Sequence, residues 1–213
     1  MESLPDPSGH RRDRRLEILT VVVMGLSGVA TAWSSYQAAL WSGVQAEAYS
    51  SASGLRVEST RATATANTQR SVDVAVYMGW IEAYARDDER VMDFYRARFR
   101  DEFGPAFEAW IATRPGQNPD APATPFAMED YQLRQEALAD SLVVEAEATF
   151  SEGREANRHS DRYVLALVLF ATVLFLTGLT HTLGGGASAV SLLGLSLVLF
   201  AAAVYGLLAL PRL

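Results

Sequence analysis

Apolar positions in this chain follow two patterns. Three stretches are apolar almost without interruption: "LEILTVVVMGLSGVATAW" (16–33), "YVLALVLFATVLFLTGLT" (163–180) and "AVSLLGLSLVLFAAAVYGLLAL" (189–210). Between the first two, apolar and polar residues mix at helical spacing. A run of about 18 residues makes roughly 27 Å of helix, close to the hydrocarbon thickness of a bilayer. Glu17, the one charge in the first run, lies at its edge, within reach of headgroups. As core helices, the two adjacent C-terminal runs would need a large soluble body around them, and the chain lacks that mass. The pattern predicts an all-α integral membrane protein with transmembrane helices at 16–36, 163–180 and 189–210. A basic tail (1–15), a helical extramembrane domain (37–162) and a glycine turn, "HTLGGGAS" (181–188), complete it.

The first run also fits a cleaved signal peptide, with basic "RRDRR" before it and the small-residue sequence "ATA" at 30–32. The residues that follow favour an unbroken helix. Every fourth residue is small: Ala30, Ser34, Ala38, Ser42, Ala46, Ser50 and Gly54, with Ser27, Thr31, Ser35, Ala39 and Gly43 beside them. Residues four apart share a drifting ridge of a helix, so these rows make a smooth strip that another helix can approach closely. The strip crosses position 36 in register, and no proline occurs from 37 to 104. Trp33, Tyr36, Trp41, Tyr163 and Tyr205 fit an aromatic belt where the spans leave the membrane.

In the middle, the helix is expected to weaken at "TATANTQ", where threonine and asparagine lower helix propensity. That gives an ascending leg of about 47 Å. From Val72 to Ile111 the chain is expected to fold back. Within that stretch "RDDER" breaks the helix, with Asp87 or Asp88 capping a new one whose apolar face is Val91, Met92, Tyr95 and Phe99. Pro105 opens a short helix carrying Phe107, Trp110 and Ile111. "TRPGQNPDAPATP" (113–125) holds four prolines and is a loop. No proline then occurs before Pro211, which predicts a second long helix from Phe126 into the second span, about 55 Å to Arg162. Its expected seam is Tyr131, Leu138, Leu142, Ala146 and Phe150. Two long antiparallel legs would form a coiled-coil-like stalk.

Charge narrows the function classes. Residues 37–162 hold 13 arginines against 21 carboxylates, a net charge of −8, which is a poor match for nucleic acid. All 18 basic residues are arginine and cysteine is absent, so thiolate sites, disulfides and a P-loop lysine are excluded. Glu152, Glu155 and His159 share a helix face, but the Glu-x-x-His spacing of di-iron bundles is not met. A solvated face balanced by Arg154, Arg158 and Arg162 explains the row better. Inside the spans the polar residues are serine, threonine and glycine, without the mid-depth ionisable groups of coupled pumps. No catalytic, cofactor or metal site is expected.

Arg11, Arg12, Arg14 and Arg15 favour a cytoplasmic N-terminus, whereas Arg154, Arg158, Arg162 and Arg212 lie at the other end of the spans. Because the first span commonly dominates, the middle is expected outside. "ATAWSSYQAALWSG", "VDVAVYMGWIEAYARDDERVMDFYRARFRDEFGPAFEAWIATRP" and "NPDAPATPFAMEDY" together resemble a group of uncharacterised bacterial inner-membrane proteins with one span, a helical middle and a terminal pair of spans. The resemblance covers nearly the whole chain and implies a bacterial inner-membrane location rather than a chemistry. The expected function is a membrane-anchored helical scaffold that self-associates through small-residue helix faces. Its expected partners are the lipid bilayer and a second copy or another envelope protein. The alternative is an oligomeric channel or motor-stator-like subunit with the middle in the cytoplasm.

Overall fold

The computed structural model describes residues 7–182 and 187–213, with side chains from 16 to 180 and from 188 onward, and that of Arg14. The first six residues of the basic tail and the centre of the expected glycine turn lie outside the described residues. The described chain is helical: α1 (Pro7–Ala85), α2 (Glu89–Arg96), α3 (Gly104–Ala112), a 3-10 turn (Pro125–Ala127), α4 (Arg134–Thr182) and α5 (Ala187–Leu208). Three of these helices are long and apolar enough to cross a membrane. The described residues divide into two compact units, one within Met1–Tyr49 and Phe150–Leu213, the other Ser50–Thr149.

In the first unit α1, α4 and α5 pack side by side. Buried positions on α1 are Thr20, Val23, Ser27, Ser34, Gln37 and Ala38. On α4 they include Ala156, Ser160, Tyr163, Phe170, Val173 and Thr177. These spacings of three and four repeat every seven residues, the period with which two helices stay in contact along their length. Ala166, Phe170 and Ala203 form an apolar cluster with Ala30 and Phe200 against it. Small residues let the helices approach closely. Ser160 Oγ donates to the Ala38 carbonyl across the α1–α4 seam (3.0 Å), and the Tyr49 ring occupies the space where a Cβ on Gly153 would stand. Thr20, Thr31 and Ser196 donate their hydroxyls to the carbonyl four residues back, whereas the buried Ser27, Ser34 and Thr177 hydroxyls have no such partner among the described residues.

The second unit has a thin seam and a thick core. Ala52, Ser59, Ala62 and Ala66 of α1 are buried, as are Ala139 and Ala146 of α4. Ser59 Oγ donates to the Ala139 carbonyl (3.0 Å), so the backbones there are close. The core joins Tyr77, Trp80, Phe103, Phe107 and Trp110, with Met92, Tyr95, Phe99, Phe126 and Tyr131 packed around them.

Four details differ from the expectation. α1 runs through "TATANTQ" unbroken to Ala85. Thr60, Thr63, Thr65, Thr68 and Ser71 each bond the carbonyl four residues back, and Ala62 and Ala66 are held by packing, which outweighs weak propensity. The fold-back therefore begins after Ala85, not at Val72. There Asp87 adopts the left-handed φ of 55° and the Asp88 N–H reaches back to the Ala83 carbonyl, closing the helix end. Asp88 then caps α2 by accepting from the Val91 N–H (3.1 Å). α4 starts at Arg134 instead of Phe126, because Phe126 and Tyr131 are drawn into the aromatic core. Leu138 is exposed and Ala139 takes its place in the seam. α3 and the loop at 113–125 match the sequence reading, with Phe107 and Trp110 buried and Ile111 on the rim.

Candidate functional site

The small-residue strip divides on α1. Ala30 is half-buried, and Ser34 and Ala38 are buried against the chain's own helices, whereas Ser42, Ala46, Ser50 and Gly54 are exposed. A ridge of period four drifts off a seam of period three and a half, so its two ends must face different ways. A third row was not apparent from four-residue spacing. Gly25, Gly28, Ala32, Ser35, Ala39, Ser42 and Ala46 recur at alternating steps of three and four, and all face outward. A Cβ added at Gly25 or Gly28 would meet nothing within 4 Å. No contact within the chain therefore calls for glycine there.

Of the aromatic belt, Trp33, Tyr36 and Tyr205 are exposed, and the Trp33 and Tyr36 rings lie 6.1 Å apart. Trp41 and Tyr163 turn inward instead. The Trp41 indole N–H and the Tyr163 hydroxyl both donate to the Pro211 carbonyl (3.3 and 2.9 Å). One helical turn before Trp41, the buried Gln37 amide donates to the Leu213 carbonyl and accepts from the Leu213 N–H, both at 3.2 Å. Beyond Leu208 the helix has ended, and free backbone groups at the edge of a bilayer need partners. Gln37, Trp41 and Tyr163 supply them. A lone amide at the foot of an apolar run is the signal that could have revealed this clasp.

In the Ser50–Thr149 unit a charged network lies beside the aromatic core. Asp73 Oδ2 accepts from the Tyr131 hydroxyl (3.0 Å) and from Arg100 (2.9 Å). Arg100 also pairs with Glu102. Glu102 Oε1 accepts from the backbone N–H of Arg134 (3.1 Å) and from its guanidinium (2.9 Å), so it caps the start of α4 from another element. Burial pushes the Asp73 carboxyl above the usual range, partly opposed by the bonds from Tyr131 and Arg100. Burial and the adjoining Asp73 carboxylate push the Tyr131 phenol up. At Glu102 burial works upward too, but the Arg134 bonds and the Arg100 charge outweigh it and hold the carboxyl low.

The same unit carries an open cleft of about 800 Å3. Tyr77, Trp80 and Trp110 line it from below, Glu89 and Asp93 from α2, and Arg114 from the loop after α3. The Trp110 indole holds that loop by donating to the Pro122 carbonyl (2.7 Å). Arg114 stands at the residue beyond the end of α3 with φ 56°, where glycine is usual. The unit contains no histidine, lysine or cysteine, so its reactive side chains are carboxylates, hydroxyls and guanidinium groups. Elsewhere the His159 ring lies 4.6 Å from that of Trp41, tilted by 44°, with Nε2 3.9 Å from Glu155. Among the described residues no three histidine or carboxylate side chains gather as a metal site. Comparison with protein families, with curated proteins and with solved structures found no match, so the functional reading rests on this geometry alone.

Proposed function

We propose that the protein is a membrane-anchored helical scaffold, without catalytic activity, that self-associates through the outward face of α1. The observation that carries this reading is the row Gly25, Gly28, Ala32, Ser35, Ala39, Ser42 and Ala46, small at every step and exposed. A glycine inside a helix costs about 1 kcal/mol relative to alanine. The chain's own packing does not require Gly25 or Gly28, but a second helix at close range would. The setting is a bacterial inner membrane with the Ser50–Thr149 unit outside, as the N-terminal arginines suggest.

Gly28→Leu combined with Ala32→Leu tests the association. In nanodiscs the wild type should run as an oligomer and the double variant as a monomer with unchanged helicity. Equal masses would overturn the proposal. Ala38→Leu is a poorer probe, because Ala38 is buried and its carbonyl accepts from Ser160. For orientation, Gln117→Cys introduces a unique thiol on the exposed loop. Labelling by an impermeant maleimide in intact spheroplasts puts the loop outside. Labelling only after lysis would put it in the cytoplasm, where the motor-like alternative has it.

A further inference from the structure

The cleft in Ser50–Thr149 carries an inference separate from the α1 face. Trp80 and Trp110 are buried residues that line the cleft, while the exposed Tyr84, which also lines it, stacks on Trp80 at 5.3 Å and 14° between planes. Glu89 and Asp93 stand one turn apart on α2 and both line the cleft. Neither makes an ion pair among the described residues. Arg96 lines it too, but Glu108 neutralises it through bonds of 2.6 to 2.9 Å from Nε and Nη2. Arg96 also lies over the Phe107 ring and Arg98 over the Phe94 ring.

The backbone adds to the same sign. Tyr84 belongs to the last turn of α1 and Trp110 and Ile111 to the last turn of α3, and all three line the cleft. Two helix C-termini, each with its partial negative charge, therefore border it. The unit as a whole holds 10 arginines and 17 carboxylates. Ring faces, unpaired carboxylates and carbonyl ends all favour positive charge on an apolar body.

We propose that the cleft binds a small organic cation, an amine or quaternary ammonium, with its charged head between the Trp80–Tyr84 stack and the Glu89 and Asp93 carboxylates. About 800 Å3 is ample for such a molecule and lies within the usual size of ligand pockets. Arg114, on the opposing loop, repels a second positive charge and so selects monocations or zwitterions.

The test uses the full chain in nanodiscs of zwitterionic lipid and follows tryptophan fluorescence. Benzyltrimethylammonium should quench it saturably, while hydrocinnamate, an anion of similar size, should not. Glu89→Gln with Asp93→Asn should weaken the cation at least tenfold, with near-ultraviolet circular dichroism unchanged. Arg114→Ala should leave the cation's affinity equal or higher. Absence of saturation, equal binding by the carboxylate variant, or a preference for hydrocinnamate that Arg114→Ala abolishes would each overturn the assignment. The α1 variants that dissolve the oligomer should not alter this binding.

Discussion

The aromatic core of Ser50–Thr149 is built from large rings, whereas the three-helix packing of the other unit buries many small side chains among a few large ones. The core gathers Tyr77, Trp80, Phe103, Phe107 and Trp110 from α1, the stretch after α2, and α3. Beside Phe170, Val173 and Leu193, the spans bury Thr20, Ser27, Ser34, Ala166 and Ser196 at positions where an aqueous core more often places leucine or phenylalanine. The solvent each region displaces explains the contrast. In water, large rings gain most by burial. In lipid no hydrophobic force separates helix from solvent, so close approach and dispersion decide, and small side chains serve both.

The largest effect should come from the aromatic side of that contrast. Phe103 is fully buried and its ring meets those of Tyr77, Phe99, Phe107, Phe126 and Tyr131. Phe103→Ala should lower stability by about 3–5 kcal/mol, read from urea unfolding by near-ultraviolet circular dichroism. On the small-residue side, Gly153→Ala sets a methyl against the Tyr49 ring and the Ala48 methyl, and should cost about 1–3 kcal/mol in thermal unfolding. Gly54→Ala meets open space on an exposed helix and should stabilise by about 0.5–1 kcal/mol in the same assay. If both glycine variants moved stability the same way, the distinction between required and unrequired glycines would fail.

A smaller effect belongs to pH. Glu102 is held below the ordinary glutamate value of 4.5. Its contribution is therefore fully present above pH 4.5 and is lost as pH falls through the lower folded value. Asp73 is held above its ordinary 3.8 and acts in the opposite sense, losing stability as pH rises past that value. Glu102→Gln should flatten the acid limb of the stability profile. An unchanged limb would mean that the Arg134 cap contributes nothing.

Periodicity in the sequence located the three apolar helices, α3, the loop at 113–125 and the break at Asp87 and Asp88. These signals are local: run length, proline and capping carboxylates. It misplaced the start of α4, because the pull of Phe103 on Phe126 and Tyr131 acts across the chain. It read the Ala30-to-Gly54 ridge at four-residue spacing, when close helix packing over many turns favours a seven-residue repeat. The outward row from Gly25 to Ala46 becomes visible once the buried seam is known. The cleft and the Asp73–Arg100–Glu102 network join residues from distant segments, and no local pattern marks them.

Gln37 sets an order on assembly. Its amide is sequestered by Leu213, 176 positions away, so during biogenesis the foot of the first span carries a polar group whose partner has not yet been synthesised. Until α5 arrives, that amide must stay wetted at the interface or be held by another protein. Arrival of α5 removes the need for either. The clasp thus ties the packing of α5 to the foot of the first apolar run, and a Gln37 amide left open there marks a chain in which the two have not yet met.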